Sequence, residues 1–179
     1  MVSESNCRQL LVTHFCFQLF VRLRLDFMTE SPTILVADDN RDDVELLRRA
    51  FAKAGFAEHF YAVCGGRQVL QYLNGESPFE DRQKYPFPRL VLLDFKMQGL
   101  TGPEVLSWIR QRPQFKYLPV IVFTGSDYSE DVNKAYDLGA NSYLIKPQSI
   151  DELLEAVKQI GEFWLRLSKL PSGESFKRL

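Results

Sequence analysis

Apolar residues fall in two patterns along this chain: short unbroken aliphatic runs, and longer stretches where they recur every third or fourth position. The unbroken runs lie at 33–37, 90–93 and 118–123, with a shorter one at 141–145 and one interrupted by polar residues and His59 at 58–63. Branched aliphatics without alternation describe strands buried on both faces, and the interrupted run describes an edge strand. The periodic stretches predict helices. The first covers 41–54, with Val44, Leu47 and Phe51 on one stripe and Gly55 as its stop. A second covers 67–73; a third opens at Gly102-Pro103, carries Val105, Leu106 and Ile109, and cannot continue past Pro113. The fourth runs from Ser129 through Val132, Ala135 and Tyr136 to Gly139. The fifth begins at Ser149-Ile150-Asp151-Glu152, which has capping-box spacing. Its stripe is Leu153, Val157, Ile160, Trp164 and Leu167; Phe163 and Leu165 are expected to stand off it, exposed and available to a partner. Strands alternating with helices through short connections predict an α/β fold with a doubly wound parallel sheet.

The ends of the runs carry the chemistry. Residues 90–93 stop at Asp94, 34–37 at Asp38-Asp39, 120–123 at Thr124 and 143–145 at Lys146. An unpaired acid at the end of a buried strand is costly as packing. It is explicable as chemistry, because open parallel sheets bind ligands at the carboxyl ends of their strands. Asp38 and Asp39 read either as turn or cap acids or as a cation site, and adjacency at a buried strand end favours the cation. Asp42 and Asp43 fall in the first turn of a helix, where the dipole alone accounts for them. Thr124 or Lys146 alone would read as a strand-end hydroxyl or a surface lysine; together with the acids they read as one site. Gly65-Gly66 is a turn, since no Gly-Lys-Ser/Thr follows. The loop 74–88 is long enough to be functional or mobile.

Composition narrows the function. With 179 residues and a formal net charge of -1, the chain suits one well-buried domain and shows no general attraction to nucleic acid. Cys7, Cys16 and Cys64 lack metal-type spacing and fit a reducing cytosol, so a cytoplasmic location is expected. His14 and His59 are too few and too distant for a histidine metal site. The apolar segment 10–20 is too short and too interrupted to span a bilayer, and no cleavage site follows, so no membrane role is expected. Residues 1–31 form an extension: an extra helix or strand, or sequence upstream of a start at Met28, the second being preferred. Residues 169–179 are expected to be a loose tail.

Ile34-Leu35-Val36-Ala37-Asp38-Asp39-Asn40, Val91-Leu92-Leu93-Asp94, Val120-Ile121-Val122-Phe123-Thr124 and Leu138-Gly139-Ala140-Asn141-Ser142-Tyr143-Leu144-Ile145-Lys146-Pro147 together resemble the receiver domain of two-component response regulators, over residues 32–167. The resemblance implies a receiver domain at 32–168 with five strands ordered 2-1-3-4-5 and five helices. It implies that Asp94 accepts a phosphoryl group from the phosphohistidine of a sensor histidine kinase. Asp38, Asp39, Asp94 and the backbone carbonyl of Lys96 would hold Mg²⁺; Thr124 and Lys146 would bind the phosphoryl oxygens. Tyr143 would act with Thr124 as the switch, and Lys146–Pro147 would be a cis peptide. No enzymatic activity is implied beyond phosphotransfer and autodephosphorylation. The sequence departs from the family at Lys96, Gln98 and Thr101, and Lys96 is expected to alter how long the phosphorylated state survives.

The loop 74–88 and the aromatic end of the last helix look like those of stand-alone receivers, some similar to regulators of phytochrome-type kinases. Too few residues follow the last helix for an output domain, so output is expected through phosphorylation-dependent protein contacts. The expected surface is the helix 4–strand 5–helix 5 face, bearing Lys134, Tyr136, Asp137, Tyr143 and Lys158, which would also serve a homodimer; the downstream target is not named by the sequence. A haloacid-dehalogenase-type phosphatase would need an acid where Lys96 stands, and a flavodoxin-like phosphate loop would be repelled by Asp38 and Asp39. A pseudo-receiver that docks partners without phosphorylation is the remaining rival.

Overall fold

The aliphatic runs become strands because each has two faces to cover. A computed structural model describes residues 32–171, with strands β1 (Ile34–Ala37), β2 (Phe60–Val63), β3 (Leu90–Leu93), β4 (Val120–Thr124) and β5 (Ser142–Ile145). They form one parallel sheet in the order β2-β1-β3-β4-β5. Every residue of β1, β3 and β4 is buried, whereas the two edge strands are partly open.

Alternate strand residues feed two cores. Leu35, Ala37, Val91 and Leu93 pack with Val69 and Leu73 of α2 (Gly66–Asn74) and Val105 and Ile109 of α3 (Gly102–Arg110). Ile34, Val36, Leu90, Leu92 and Phe123 pack with Leu47 and Phe51 of α1 (Arg41–Lys53) and Val157 and Ile160 of α5 (Ile150–Gly161). Each such side chain, fully buried, contributes about 1.5–3 kcal/mol. Ala135 of α4 (Ser129–Asp137) joins Phe95, Val122 and Tyr143 in a third, smaller cluster. Asn40 caps α1 by accepting from the Asp42 N–H, and Ser149 caps α5 by accepting from the Glu152 N–H.

Three expectations are corrected. The run 58–63 is strand only from Phe60, because Ala57–His59 form a 3₁₀ turn. Leu165 is buried, at 6% exposure, while Leu167 is exposed at 71%. The cause is a π-helical segment, Glu162–Leu167, closed by the Ser168 N–H donating to the Phe163 carbonyl at 2.7 Å. Its wider turn stacks residue 165 beneath 160 and rotates 167 away. Arg89 steadies that end, donating to the carbonyls of Trp164 and Ser168. Finally, the cis peptide among the described residues is Ser77–Pro78, not Lys146–Pro147.

The loop 75–88 packs against the end of α2. Phe79 is buried between the rings of Tyr72 and Tyr85, and the Arg82 guanidinium donates to the carbonyls of Tyr72 and Leu73 at the end of α2. The Tyr72 hydroxyl donates to the Pro86 carbonyl at 2.9 Å. The expectations for residues 1–31 and for the tail past 171 lie outside the described residues. No helix among the described residues is long and apolar enough to cross a membrane.

Candidate functional site

Sheet register assembles the site. Ala37 pairs with Leu93, so Asp38 and Asp94 leave the sheet side by side, and the Asp94 N–H donates to the Ala37 carbonyl at 2.9 Å. Thr124 pairs with Ile145, and the Lys146 N–H donates to the Thr124 carbonyl at 2.7 Å. All four side chains therefore belong to one carboxyl edge. There, β1 leads into a helix on one face of the sheet and β3 into a helix on the other, which opens a crevice.

Within the crevice the Lys146 ammonium donates to Asp38 Oδ2 at 2.6 Å, Asp43 Oδ2 at 2.8 Å and Asp94 Oδ2 at 3.2 Å. Burial alone would lower the Lys146 pKa, but the hydrogen bonds to Asp38 and Asp43 and the charges of Asp94 and Asp38 raise it on balance. Asp38, only 2% exposed, has its pKa raised by burial against the lowering effects of Lys146 and the Asn40 N–H. Asp43 is the site residue that sequence reasoning gave to the helix dipole. Its signal was position: a helix starting just after Asp38-Asp39 delivers its first-turn acids to the same edge.

Three carboxylates thus meet one ammonium. Asp38, Asp39 and Asp94 each offer an oxygen within 4.8 Å of the others, and this hard, acidic donor set fits a divalent metal site. Neighbouring backbone aims the oxygens: the Asn40 N–H donates to Asp38, the Gln98 N–H to Asp39 and the Lys96 N–H to Asp94. Lys96 directs its side chain elsewhere, with Nζ 3.3 Å from Asp131 Oδ2. Thr124 is buried at the end of β4. Tyr143 packs edge-on to Phe95 and donates its hydroxyl to the Ser126 carbonyl at 2.9 Å.

Gly102 packs closely against the backbone of the acid. A Cβ there would lie 2.3 Å from the Asp94 carbonyl oxygen and 2.6 Å from the Phe95 Cα. Gly102→Ala is therefore expected to destabilise the domain by about 1–3 kcal/mol through overpacking. Gly125→Ala, with nothing within 4 Å, should stay within about 0.5 kcal/mol of the parent. Chemical denaturation of both variants checks the pair.

Comparison with known proteins agrees with this fold. Residues 34–158 match the family model for the response regulator receiver domain. The chain is similar to the Response regulator Rcp1 of Synechocystis sp., 31% identical over 140 residues, covering 78% of this chain and 93% of that protein. Among solved structures it resembles response regulator RPA3017 in red light signaling of R. palustris, with 36% identity and a TM-score of 0.74 over 79% of this chain and 99% of that one. It also resembles the Mn(2+)-bound form of Rcp1, with 30% identity and a TM-score of 0.67 over 79% of this chain and 99% of that one.

Proposed function

This chain belongs to the response regulator receiver family, and from that premise we propose that it takes a phosphoryl group onto Asp94 from the phosphohistidine of a sensor histidine kinase. The observation that carries the reading is the Lys146 ammonium reaching Asp38, Asp43 and Asp94 at once beside a three-acid cluster. A carboxylate oxygen of Asp94 attacks phosphorus in line with the departing imidazole nitrogen; the new P–O bond forms as the P–N bond breaks. Both nucleophile and phosphoryl group are anionic, so positioning and electrostatics do the work. Asp38, Asp39, Asp94 and the Lys96 carbonyl would hold Mg²⁺, which would supply charge neutralisation at the phosphoryl oxygens. Lys146 holds a second oxygen and the Thr124 hydroxyl a third.

The donor is proposed to be a phytochrome-type kinase, because the relatives include regulators named for red-light and phytochrome signalling. The protein acts in the cytoplasm as a phosphoacceptor and not as an enzyme turning over a substrate. Output leaves through the α4–β5–α5 face, where Tyr136, Ile145 and Ile150 are exposed, with Phe163 exposed in the π-helical segment beyond α5. Thr124 and Tyr143 link that face to Asp94: an inward pull on the hydroxyl frees space that the aromatic ring can fill, and a tight interior favours two discrete packings. The same face would support a homodimer, and sedimentation with and without beryllofluoride measures that directly.

Incubation with Mg²⁺ and acetyl phosphate, followed by intact mass, tests the central reading. The protein is expected to gain one phosphoryl group, and a chelator should abolish the gain. No gain would favour a pseudo-receiver instead, and a gain indifferent to chelator would contradict the metal-dependent reaction at Asp94.

A further inference from the structure

Lys96 stands two residues past Asp94, yet its ammonium is turned onto the far wall of the crevice. Nζ lies 3.3 Å from Asp131 Oδ2 in the first turn of α4, and 5.0 Å from the centre of the Tyr128 ring. That same Oδ2 accepts from the Ser126 hydroxyl at 2.5 Å, so Asp131 is itself held in place by the loop leaving β4. Between these walls lies a cavity of about 420 Å³, which Lys96, Asp131 and Lys134 all line. The Lys96 side chain is more than half exposed, and so has room to swing across it.

We propose that Asp131 is a positioning residue that shortens the life of the phosphorylated state by holding the Lys96 ammonium away from Asp94. The proposal rests on Asp94 being the phosphoacceptor. The Lys96 backbone N–H already donates to Asp94 Oδ1 at 3.2 Å, which roots the side chain beside the acceptor carboxylate. A phosphoryl group there adds a concentrated negative charge, and a lysine on its flexible four-carbon stem is free to answer it. Two anions then compete for one ammonium. Asp131 competes with the help of the Ser126 hydroxyl, which fixes its carboxylate, and of the Tyr128 ring, which attracts the same cation.

The chemistry decides the direction. In hydrolysis a water oxygen attacks phosphorus, the bond to the Asp94 carboxylate oxygen breaks, and the carboxylate departs as phosphate takes up the water. In the loose transition state, charge builds on the departing carboxylate oxygen. Positive charge on the phosphoryl oxygens by itself favours transfer, but the Lys96 methylenes laid across the phosphoryl group crowd the path of the attacking water, and that exclusion sets the direction. Lys96 swung onto the phosphoryl group therefore slows hydrolysis, and Asp131 opposes that swing.

Asp131→Asn isolates the charge, because the amide oxygen still accepts from Ser126 and leaves the loop and Tyr143 where they are. Full-length wild type, Asp131→Asn, Lys96→Met and the double variant are phosphorylated with Mg²⁺ and acetyl phosphate. The donor is then removed and decay is followed by intact mass. Asp131→Asn is expected to lengthen the half-life about threefold or more, the rate equivalent of one ion pair near the surface. Adding it to Lys96→Met should change nothing further. An Asp131→Asn half-life equal to or shorter than wild type overturns the proposal. So does a lengthening that persists undiminished without the Lys96 ammonium, which would assign the effect to the loop. Wild type that takes up no phosphoryl group overturns the receiver reading itself, a separate result.

Discussion

Asp94→Asn is expected to take up no phosphoryl group under conditions where the parent takes up one. The amide is nearly isosteric with the carboxylate but has no anionic oxygen to attack phosphorus. The neighbouring acids cannot substitute. Asp38 is committed to Lys146 through Oδ2 and to the Asn40 N–H through Oδ1, and it is almost fully buried. Asp43 is likewise engaged by Lys146, and Asp39 by the Gln98 N–H. A second consequence runs the other way: without metal, removing one of four clustered carboxylates relieves repulsion. The metal-free variant should therefore melt above the parent, each kcal/mol of relief raising Tm by about 2–4 °C. Intact mass and a thermal scan, run with and without Mg²⁺, check both statements. Equal labelling of the variant would move the acceptor to another residue.

Lys146→Met is expected to be the most damaging single change, because it strikes stability and chemistry together. The ammonium is the counter-charge of Asp38, and breaking such a buried pair from one side costs about 3–5 kcal/mol. Protonation of Asp38, whose pKa burial already raises, offsets part of that cost at acid pH. The sign follows from linkage. Lys146 has a raised pKa in the folded state, so the stability it contributes is complete below the ordinary lysine range and is lost as pH rises past the folded value. Removing it flattens the alkaline limb of the stability profile. Adding Asp38→Asn to Lys146→Met should recover much of the lost stability, since no buried charge is then left unpaired. It should not recover phosphorylation, because the incoming phosphoryl group still lacks a cation worth on the order of 10²-fold in rate. Urea unfolding across pH separates these effects, and recovery of both properties together would contradict the assigned role.

The sheet was legible because burial on both faces leaves a plain signature. Ile34 to Ala37 and Leu90 to Leu93 must be apolar at every position to satisfy two helical layers, and the polar residue ending each run is where that demand stops. Strand order came only from resemblance, since periodicity does not say which strands are neighbours. The misread residues share a cause: their roles depend on geometry beyond one regular element. Leu165 is inside because a π-helical segment changes the helix period, which a fixed 3.6-residue stripe does not anticipate. Asp43 joins Lys146 across more than 100 residues of chain, though the helix dipole alone would justify an acid there. The pairing of Lys96 with Asp131 was not legible either, because it depends on where α4 begins after the loop leaving β4. The loop 74–88 reads as polar and irregular, yet Phe79, Tyr85 and Arg82 bind it to the end of α2.

Asp94 itself is expected to carry the phosphoryl group. Borohydride reduces an aspartyl phosphate to homoserine while leaving free carboxylates alone. The protein is therefore phosphorylated in the presence of Mg²⁺, reduced, digested, and its peptides are sequenced by mass spectrometry. Homoserine is expected at position 94, with aspartate retained at 38, 39 and 43. Homoserine at any of those three positions, or at none, would contradict it.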